Sequence, residues 1–528
     1  MDNENRITAD VLVIGCGIAG SSAALEAAKS GLRVIVITKN LRLEESNTYY
    51  AQGGIVSLGY DDHPELLKED IINTGDGINN PEAVELMATE GKKIVENILI
   101  KELRIPFTMS SPDALDYAQE AGHSRRRILH IKDTTGKTIE EKFIAALKKY
   151  SNVTLLPEHT AVDLLTVPHH SKNPTAYYKE SQCIGSYVLE NETHNVKIIF
   201  APYTILATGG CGALYLYTSN PLSAIGDGYA MAYKAGARIV NMEYIQFHPT
   251  SLFHQDADGF LISETVRGEG ARLKTRSGQT FMGNYSEKKE LAPRDEVTRA
   301  IYEEMTNTNS SYVYLDLASY AKIDIKKRFP NIHKICLNYG IDITKEPIPV
   351  VPAAHYCCGG VLVNTWGKSS LKGLYAVGEV ACTGVHGANR LASTSLLEGL
   401  IWGTRASQHI VSHFNPDLPY KHSDIHDWYY PKEEEEIDPA LINQDWVFIR
   451  STLWNYTGII RTQKRLERAR ADLDYLRHRI ERFYKEARMD AKVVGLKHGI
   501  QVAQLITHAA ISNPVSLGAH YIEASEKS

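Results

Sequence analysis

The chain has 528 residues, enough for two or three domains, with 43% hydrophobic and 23% charged residues, an ordinary globular composition. Its 57 basic and 63 acidic residues leave a net charge of −6, so no basic field favours a nucleic acid partner. No apolar run reaches the roughly 18 residues of a membrane span, residues 1–6 lack a signal peptide's apolar core, and seven scattered cysteines without a C-x-x-C pair fit a reducing cytoplasm and no metal or iron–sulfur site.

Residues 11–14 are apolar and β-branched, the pattern of a strand buried on both faces. Gly15, Cys16, Gly17, Ile18, Ala19 and Gly20 follow as G-x-G-x-x-G. Residues 21–29, rich in Ala, Leu and Glu, favour helix, and residues 33–37 make a second apolar strand. Strand, glycine turn, helix and strand is the order of a dinucleotide-binding unit. Gly15 permits the turn, Gly17 lets the backbone approach a pyrophosphate, and Gly20 lets helix and strand lie close, with the helix N-terminus facing the phosphates. The second strand ends in Thr38 and Lys39, with no acid before Glu44 to hold a ribose. That argues against simple NAD binding and for FAD.

Ser46, Asn47, Thr48, Tyr49, Tyr50, Ala51 and Gln52 lead into Gly53 and Gly54. This loop either brings backbone N–H groups against a flat ring or a phosphate, or lies on the surface. Residues 81–102 read as an amphipathic helix with Val84, Met87 and Ile94 on one side. Residues 120–130 hold Arg125, Arg126 and Arg127 beside His123 and His130. They are either a solvated charge run or a holder for a dicarboxylate or flavin phosphates. Residues 138–150 read as a helix, 153–167 and 185–190 as strands, and 197–207 as a strand pair or meander. The last ends in Ala207-Thr-Gly-Gly210, where a chain passes close to a bound dinucleotide, and Asp227 stands in the first turn of a further helix.

From 241 to 353 the pattern changes to short mixed segments, an expected inserted domain that includes His248, Ser263, Glu264 and Arg294. The chain returns through His355 and a strand ending in Gly378-Glu379. Residues 387–399, with Arg390, Ser395 and Leu396, lead into a helix placed to aim its dipole at a flavin edge. Residues 433–436 are an acidic linker, and 452–511 are helical with Leu466, Leu473, Leu476 and Ile480 as an apolar stripe. The expected fold class is α/β: a Rossmann-type FAD-binding domain (1–240 plus 354–420), an inserted α+β capping domain (241–353) and a C-terminal helical domain (430–528). A gate between the first two is a further expectation.

Taken together, these motifs resemble the flavoprotein family of succinate dehydrogenase, fumarate reductase and L-aspartate oxidase over nearly the whole chain. The resemblance rests on Gly15 to Gly20, Ala51-Gln-Gly-Gly54, Ala207 to Gly210, Gln246-Phe-His-Pro-Thr250, Glu264 to Gly270, Pro293-Arg-Asp295, Ala354-His-Tyr356, Gly378-Glu379 and Asn389-Arg-Leu391 with Ser395-Leu396. Asn47 stands where the covalent-flavin branch has a histidine, so the resemblance implies FAD held without an 8α-histidyl bond. Tyr49 to Gln52 and residues 120–130 resemble the oxidase branch, in which the glutamate matching Glu120 goes with preference for an amino dicarboxylate.

The resemblance further implies that His248, His355 and Arg390 hold the substrate carboxylates, with Ser263 and Glu264 nearby. Arg294 would be the acid/base group, although a guanidinium titrates far above neutrality. FAD would meet Gly17, Lys39, residues 47–54, the backbone near Val162, Asp227, Glu379, Ser395 and Leu396. The implied activity is cytoplasmic oxidation of L-aspartate to iminoaspartate, with O2 (giving H2O2) or fumarate as acceptor, feeding quinolinate synthase and NAD biosynthesis. The alternatives are soluble fumarate reductase or succinate dehydrogenase chemistry, and a non-catalytic flavin scaffold. Four polar groups, His248, Arg294, His355 and Arg390, argue against the scaffold. Two departures stand out. Ser263 replaces a frequent Thr, and residues 512–520 lack the family's Glu-Ser-Arg-Gly in a tail expected to cover the site.

Overall fold

Five short strands form a parallel sheet in the order Leu374–Ala376, Tyr203–Leu206, Val11–Ile14, Val34–Ile37 and Val153–Leu156. The computed structural model describes residues 5–132, 134–257, 259–416, 420–431 and 435–523. Val11–Ile14 lies at the centre of the sheet with every residue buried, which is why it carries no polar alternation. Helices Ile18–Lys29 and Thr394–Ser412 pack against each other on this sheet, and helix Thr135–Leu147 packs on Ile18–Lys29.

A second sheet runs Arg6–Thr8, Asn195–Phe200, Cys183–Glu190 and His159–Thr166. The expected strand pair or meander over 197–207 is therefore corrected. Asn195–Phe200 belongs to this sheet, and Tyr203–Leu206 to the parallel one. Pro202 separates them, and its missing N–H and fixed φ suit a break rather than a hairpin. The helix expected over 81–102 is α-helical only over Pro81–Ile94 and continues as a π-helix over Val95–Glu102.

A third, antiparallel sheet runs Ile245–Leu252, Ile348–Cys357, Val313–Asp316 and Arg272–Lys274. Gln246 pairs with Tyr356 while Phe247 pairs with Ala354, so His355 is the extra residue of a β-bulge. Helix Arg294–Asn307 packs against Ile245–Leu252.

Helices Pro439–Tyr456, Gln463–Glu486 and Ala491–Ser512 complete the chain, each with an N-cap acceptor: Asp438, Thr462 and Asp490. Gln463–Glu486 is strongly polar, yet it buries Leu466, Ala469, Leu473, Leu476 and Ile480 along one line, so packing and not overall hydrophobicity places it. Of the acidic run at 433–436, residues 433 and 434 lie outside the described residues, and the Glu435 N–H donates to the Glu486 carbonyl at 2.9 Å. Among the described residues no helix is long and apolar enough to cross a membrane, and no group of three or more His, Cys, Asp or Glu side chains is arranged to hold a metal ion.

Candidate active site

One large cleft opens above the C-terminal ends of the parallel strands and runs from the glycine turn to the third sheet. At the turn Gly15 has φ +111°, and a Cβ there would stand 2.1 Å from the Ala207 carbonyl oxygen. No side chain satisfies both conditions. Gly17 caps helix Ile18–Lys29 without a side-chain bond, and the Ile18 N–H donates to Thr48 Oγ1 at 3.0 Å. Gly15, Cys16, Gly17, Ile18 and Ala19 line the cleft beside this helix N-terminus.

A carboxylate does stand near the end of the second strand, supplied from elsewhere in the chain. Lys39 is ion-paired with Asp227, and His498 reaches Asp227 Oδ1 at 2.9 Å through Nδ1. Burial pushes the Asp227 carboxyl up, but Lys39 and His498 outweigh it and hold it well below the usual carboxylate range. His498 Nε2 lies 3.1 Å from the Val162 carbonyl.

Further along, the Asn47 amide donates to Glu379 Oε2 and the Cys357 N–H to Glu379 Oε1, both at 3.0 Å. Burial pushes the Glu379 carboxyl up to about 7, against these two donors. Asn47 Oδ1 and Thr208 Oγ1 are buried without a protein partner. Buried polar atoms without partners are costly, and these two sit on residues lining a cleft floored by glycine backbone. That is the surface a planar group with ring donors and acceptors, joined to a pyrophosphate, would satisfy, so the residues present fit FAD.

Thr48, Tyr50, Ala51, Gln52, Gly53, Gly54, Ser395 and Leu396 also line the cleft. Gly20, Tyr49 and Val162 do not line it themselves. Gly20 sits beneath the turn, where a Cβ would meet the Gly15 oxygen at 2.1 Å. Tyr49 turns its ring toward Arg42 and Lys137. Val162 packs in a separate apolar cluster, while its neighbours Thr160 and Ala161 reach the cleft.

At the other end, two helix starts present charge. Arg294 opens helix Arg294–Asn307, and Glu264 opens helix Glu264–Gly268 behind its Ser263 cap, whose hydroxyl accepts from the Thr265 N–H at 3.3 Å. Glu264 Oε2 accepts from Arg294 Nε at 2.8 Å and from its terminal nitrogen at 2.7 Å, while Oε1 accepts from Arg267 at 2.8 Å. Burial alone would raise the Glu264 carboxyl, but the two guanidinium groups bring it down to about 2. Burial would lower the Arg294 pKa, but Glu264 and Glu120 outweigh it and raise it.

Gln246, 1% exposed, ties the two cleft arginines together. Its Oε1 accepts from Arg390 at 3.1 Å and from Arg294 at 3.5 Å, and its amide donates to Asn389 Oδ1 and to the Arg390 carbonyl. Arg390 lies 4.7 Å over the Tyr356 ring, and its buried Nε has no partner. His248 Nδ1 accepts from the Thr250 N–H, which leaves its proton on Nε2. His355 meets Ser219 at 2.7 Å, and the two imidazoles stand 5.4 Å apart. Burial, then the surrounding arginines, hold both well below the ordinary histidine pKa, so both are neutral donors at pH 7. Glu120 completes the wall, raised by burial and accepting from Ser393 Oγ at 2.8 Å.

The three consecutive arginines are not cleft residues. Arg127 is fully buried, at 2.7 Å from Asp62 and 2.5 Å from Asp70, and Arg125 and Arg126 are exposed. None of the described tail residues 512–523 lines the cleft. The Ala519 N–H donates to the Ala388 carbonyl, and His520 is buried against Arg461. Sequence reasoning gave no role to Gln246, although it lies in a quoted motif, nor to Arg267, Thr208, Ser393 and His498.

The FAD binding domain family profile matches residues 10–396. L-aspartate oxidase 1 of Ralstonia nicotianae is 41% identical over 97% of this chain and 94% of its own length. The chain belongs to the L-aspartate oxidase family. L-aspartate oxidase of Halobacterium salinarum is 40% identical over 97% of this chain and 96% of its own. Among solved structures, a quinol-fumarate reductase chain superposes with a TM-score of 0.86 at 26% identity, over 98% of this chain and 93% of that one. Mycobacterium smegmatis Sdh1 gives 0.82 at 28%, over 98% and 89%. The oxidase family thus shares its FAD-binding fold with the fumarate reductase and succinate dehydrogenase flavoproteins.

Proposed function

We propose that this chain oxidises L-aspartate to iminoaspartate in the cytoplasm, as the first step of NAD biosynthesis, with O2 or fumarate as final acceptor and quinolinate synthase taking the product. The observation that carries the reading is the pairing of two cleft arginines on Gln246 opposite a half-buried Glu120 carboxyl that has no cationic partner within ion-pair distance among the described residues. Two cationic groups and two neutral imidazole donors suit two carboxylates, and one further carboxylate suits an ammonium.

When bound, FAD supplies the acceptor for the hydride that leaves the substrate Cα, and it passes the electrons on. Arg390 grips one carboxylate with its free Nε edge, backed by Gln246 and Tyr356. His248 and His355, neutral, donate to the carboxylates without adding charge. Glu120 holds the α-ammonium and takes the proton that leaves nitrogen as the C=N bond forms. Arg294 acts as a fixed positive charge facing the substrate rather than as a base, because Glu264 and Glu120 raise its pKa and keep it protonated. Glu264, itself bonded to Arg267, stands behind it and holds its guanidinium in place. Asn47 offers no ring nitrogen for a covalent bond, so the flavin is held by contacts alone.

The test is anaerobic mixing of the purified flavoprotein with L-aspartate and, separately, with succinate. Bleaching of the visible flavin band by aspartate alone, with H2O2 on admitting air, is expected. Bleaching by succinate alone would move the protein to dehydrogenase chemistry, and bleaching by neither would leave a scaffold.

A further inference from the structure

Ser393 has φ +58°, in the left-handed region, directly before helix Thr394–Ser412. That conformation is costly for a residue with a Cβ and free for glycine, so the serine calls for a reason. Its Oγ donates to Glu120 Oε2 at 2.8 Å and accepts from the Gly54 N–H at 3.4 Å. The preceding Ala392 carbonyl meets His123 Nε2 at 2.9 Å. Burial brings His123 down to about 4, so it is a neutral donor there. The loop carrying Glu120 is thus pinned twice onto residues 392 and 393, and Arg127 anchors its far end to Asp62 and Asp70. A Cβ on Gly53 would come within 3.0 Å of Glu120 Oε1 and 3.3 Å of Ser393 Oγ, so both groups lie against bare backbone.

We propose that Ser393 is a specificity-determining positioning residue: its hydroxyl aims the Glu120 carboxylate at the α-ammonium of the substrate and so sets the preference for an amino dicarboxylate over a plain one. The inference rests on the aspartate-oxidising reading above. Glu120 is drawn toward Arg294 and Arg390 and repelled by Glu264. Without the serine donor nothing holds it against Arg294. It would swing away from the ammonium and leave the grip of Arg390 on a carboxylate unchanged. It would also lose a bond to its ionised form, and so stay protonated to higher pH.

The experiment compares Ser393→Gly, Ser393→Ala, Glu120→Gln and the double variant Glu120→Gln/Ser393→Gly, reading the KM and kcat for L-aspartate, the Ki for succinate, and the pH profile. Glycine takes this φ without strain, so S393G removes the hydroxyl alone, whereas S393A also bears the strain and should melt lower with the same kinetics. S393G is expected to raise the aspartate KM about tenfold, the scale of one bond to a charged group. The succinate Ki should hold, and the acid limb of kcat/KM for aspartate should move to higher pH. The double variant should be no worse than E120Q, because Ser393 acts through Glu120. Equal effects on aspartate and succinate, or full additivity in the double variant, would overturn the proposal. So would selectivity that changes in E120Q and not in S393G. Unchanged selectivity in E120Q would instead remove the ammonium-binding role of Glu120, and this proposal with it.

Discussion

Arg390 shows how much one side chain in this cleft depends on geometry rather than charge. It is 4% exposed, stacked on Tyr356, bonded to Gln246 and left with a buried Nε–H unused. A lysine would keep the charge and lose the planar fork and the stacking. Arg390→Lys should raise the KM for L-aspartate about tenfold or more, with a smaller fall in kcat, by steady-state kinetics. An unchanged KM would end its role in holding a carboxylate. Glu379 makes a different prediction. Burial raises its folded-state pKa to about 7, above its unfolded value, so the folded state binds this proton more tightly. The stability it contributes is fully present below the ordinary carboxylate range and is lost as pH rises through about 7. Flavin-free protein should therefore lose up to ~3 kcal/mol between pH ~5 and ~8 by denaturant unfolding, while Glu379→Gln, which mimics the protonated form, should have a flatter profile. Asn47 can present its unpartnered Oδ1 to that form by turning its amide. Equal slopes in the two proteins would show that Glu379 does not titrate there.

At the scale of an element, the loop over 47–54 is held in place by a helix the sequence did not connect to it. Gly136, in helix Thr135–Leu147, lies so close that a Cβ would stand 1.9 Å from the Thr48 carbonyl oxygen and 2.8 Å from the Ala51 Cβ. Gly136→Ala should push the Asn47–Tyr50 turn off its seat. The expected cost is about 1–3 kcal/mol in unfolding free energy, with weaker FAD retention on dialysis. Unchanged flavin content would mean that the turn yields without moving Asn47 or Thr48. The glycine turn at 15–20 was legible because its spacing is itself the structure. Gly136 was not, since a glycine inside a helix reads only as a poor helix former. The same limit applies to the three arginines. Side-chain type does not tell that Arg127 meets Asp62 and Asp70 from another part of the chain. Nor does an alternating pattern reveal that His355 is the bulged residue that breaks it. Ser393 and His498 were invisible for the same reason, as their partners are 273 and 271 residues away.

Across the whole molecule, the cleft is closed by residues from both sides of the third sheet. Glu264 and Arg294 come from segments inserted between its strands, His248 and His355 from adjacent strands, and Glu120 and Arg390 from the body that carries the parallel sheet. A dicarboxylate gripped by Arg390 and the two histidines while facing Arg294 would join these parts, and a ligand that binds only the folded, joined state stabilises it by mass action. Succinate at about 100 times its Kd should add about 2.7 kcal/mol to the unfolding free energy and raise the melting temperature. If the inserted segments swing as a gate, the same succinate should also slow proteolysis within residues 241–353. The two readouts separate two models. A higher melting temperature with unchanged cleavage would mean that the dicarboxylate binds a cleft already closed. Slower cleavage together with the shift would mean that binding draws the walls together. The absence of both would remove the cleft between Arg294 and Arg390 as the dicarboxylate site.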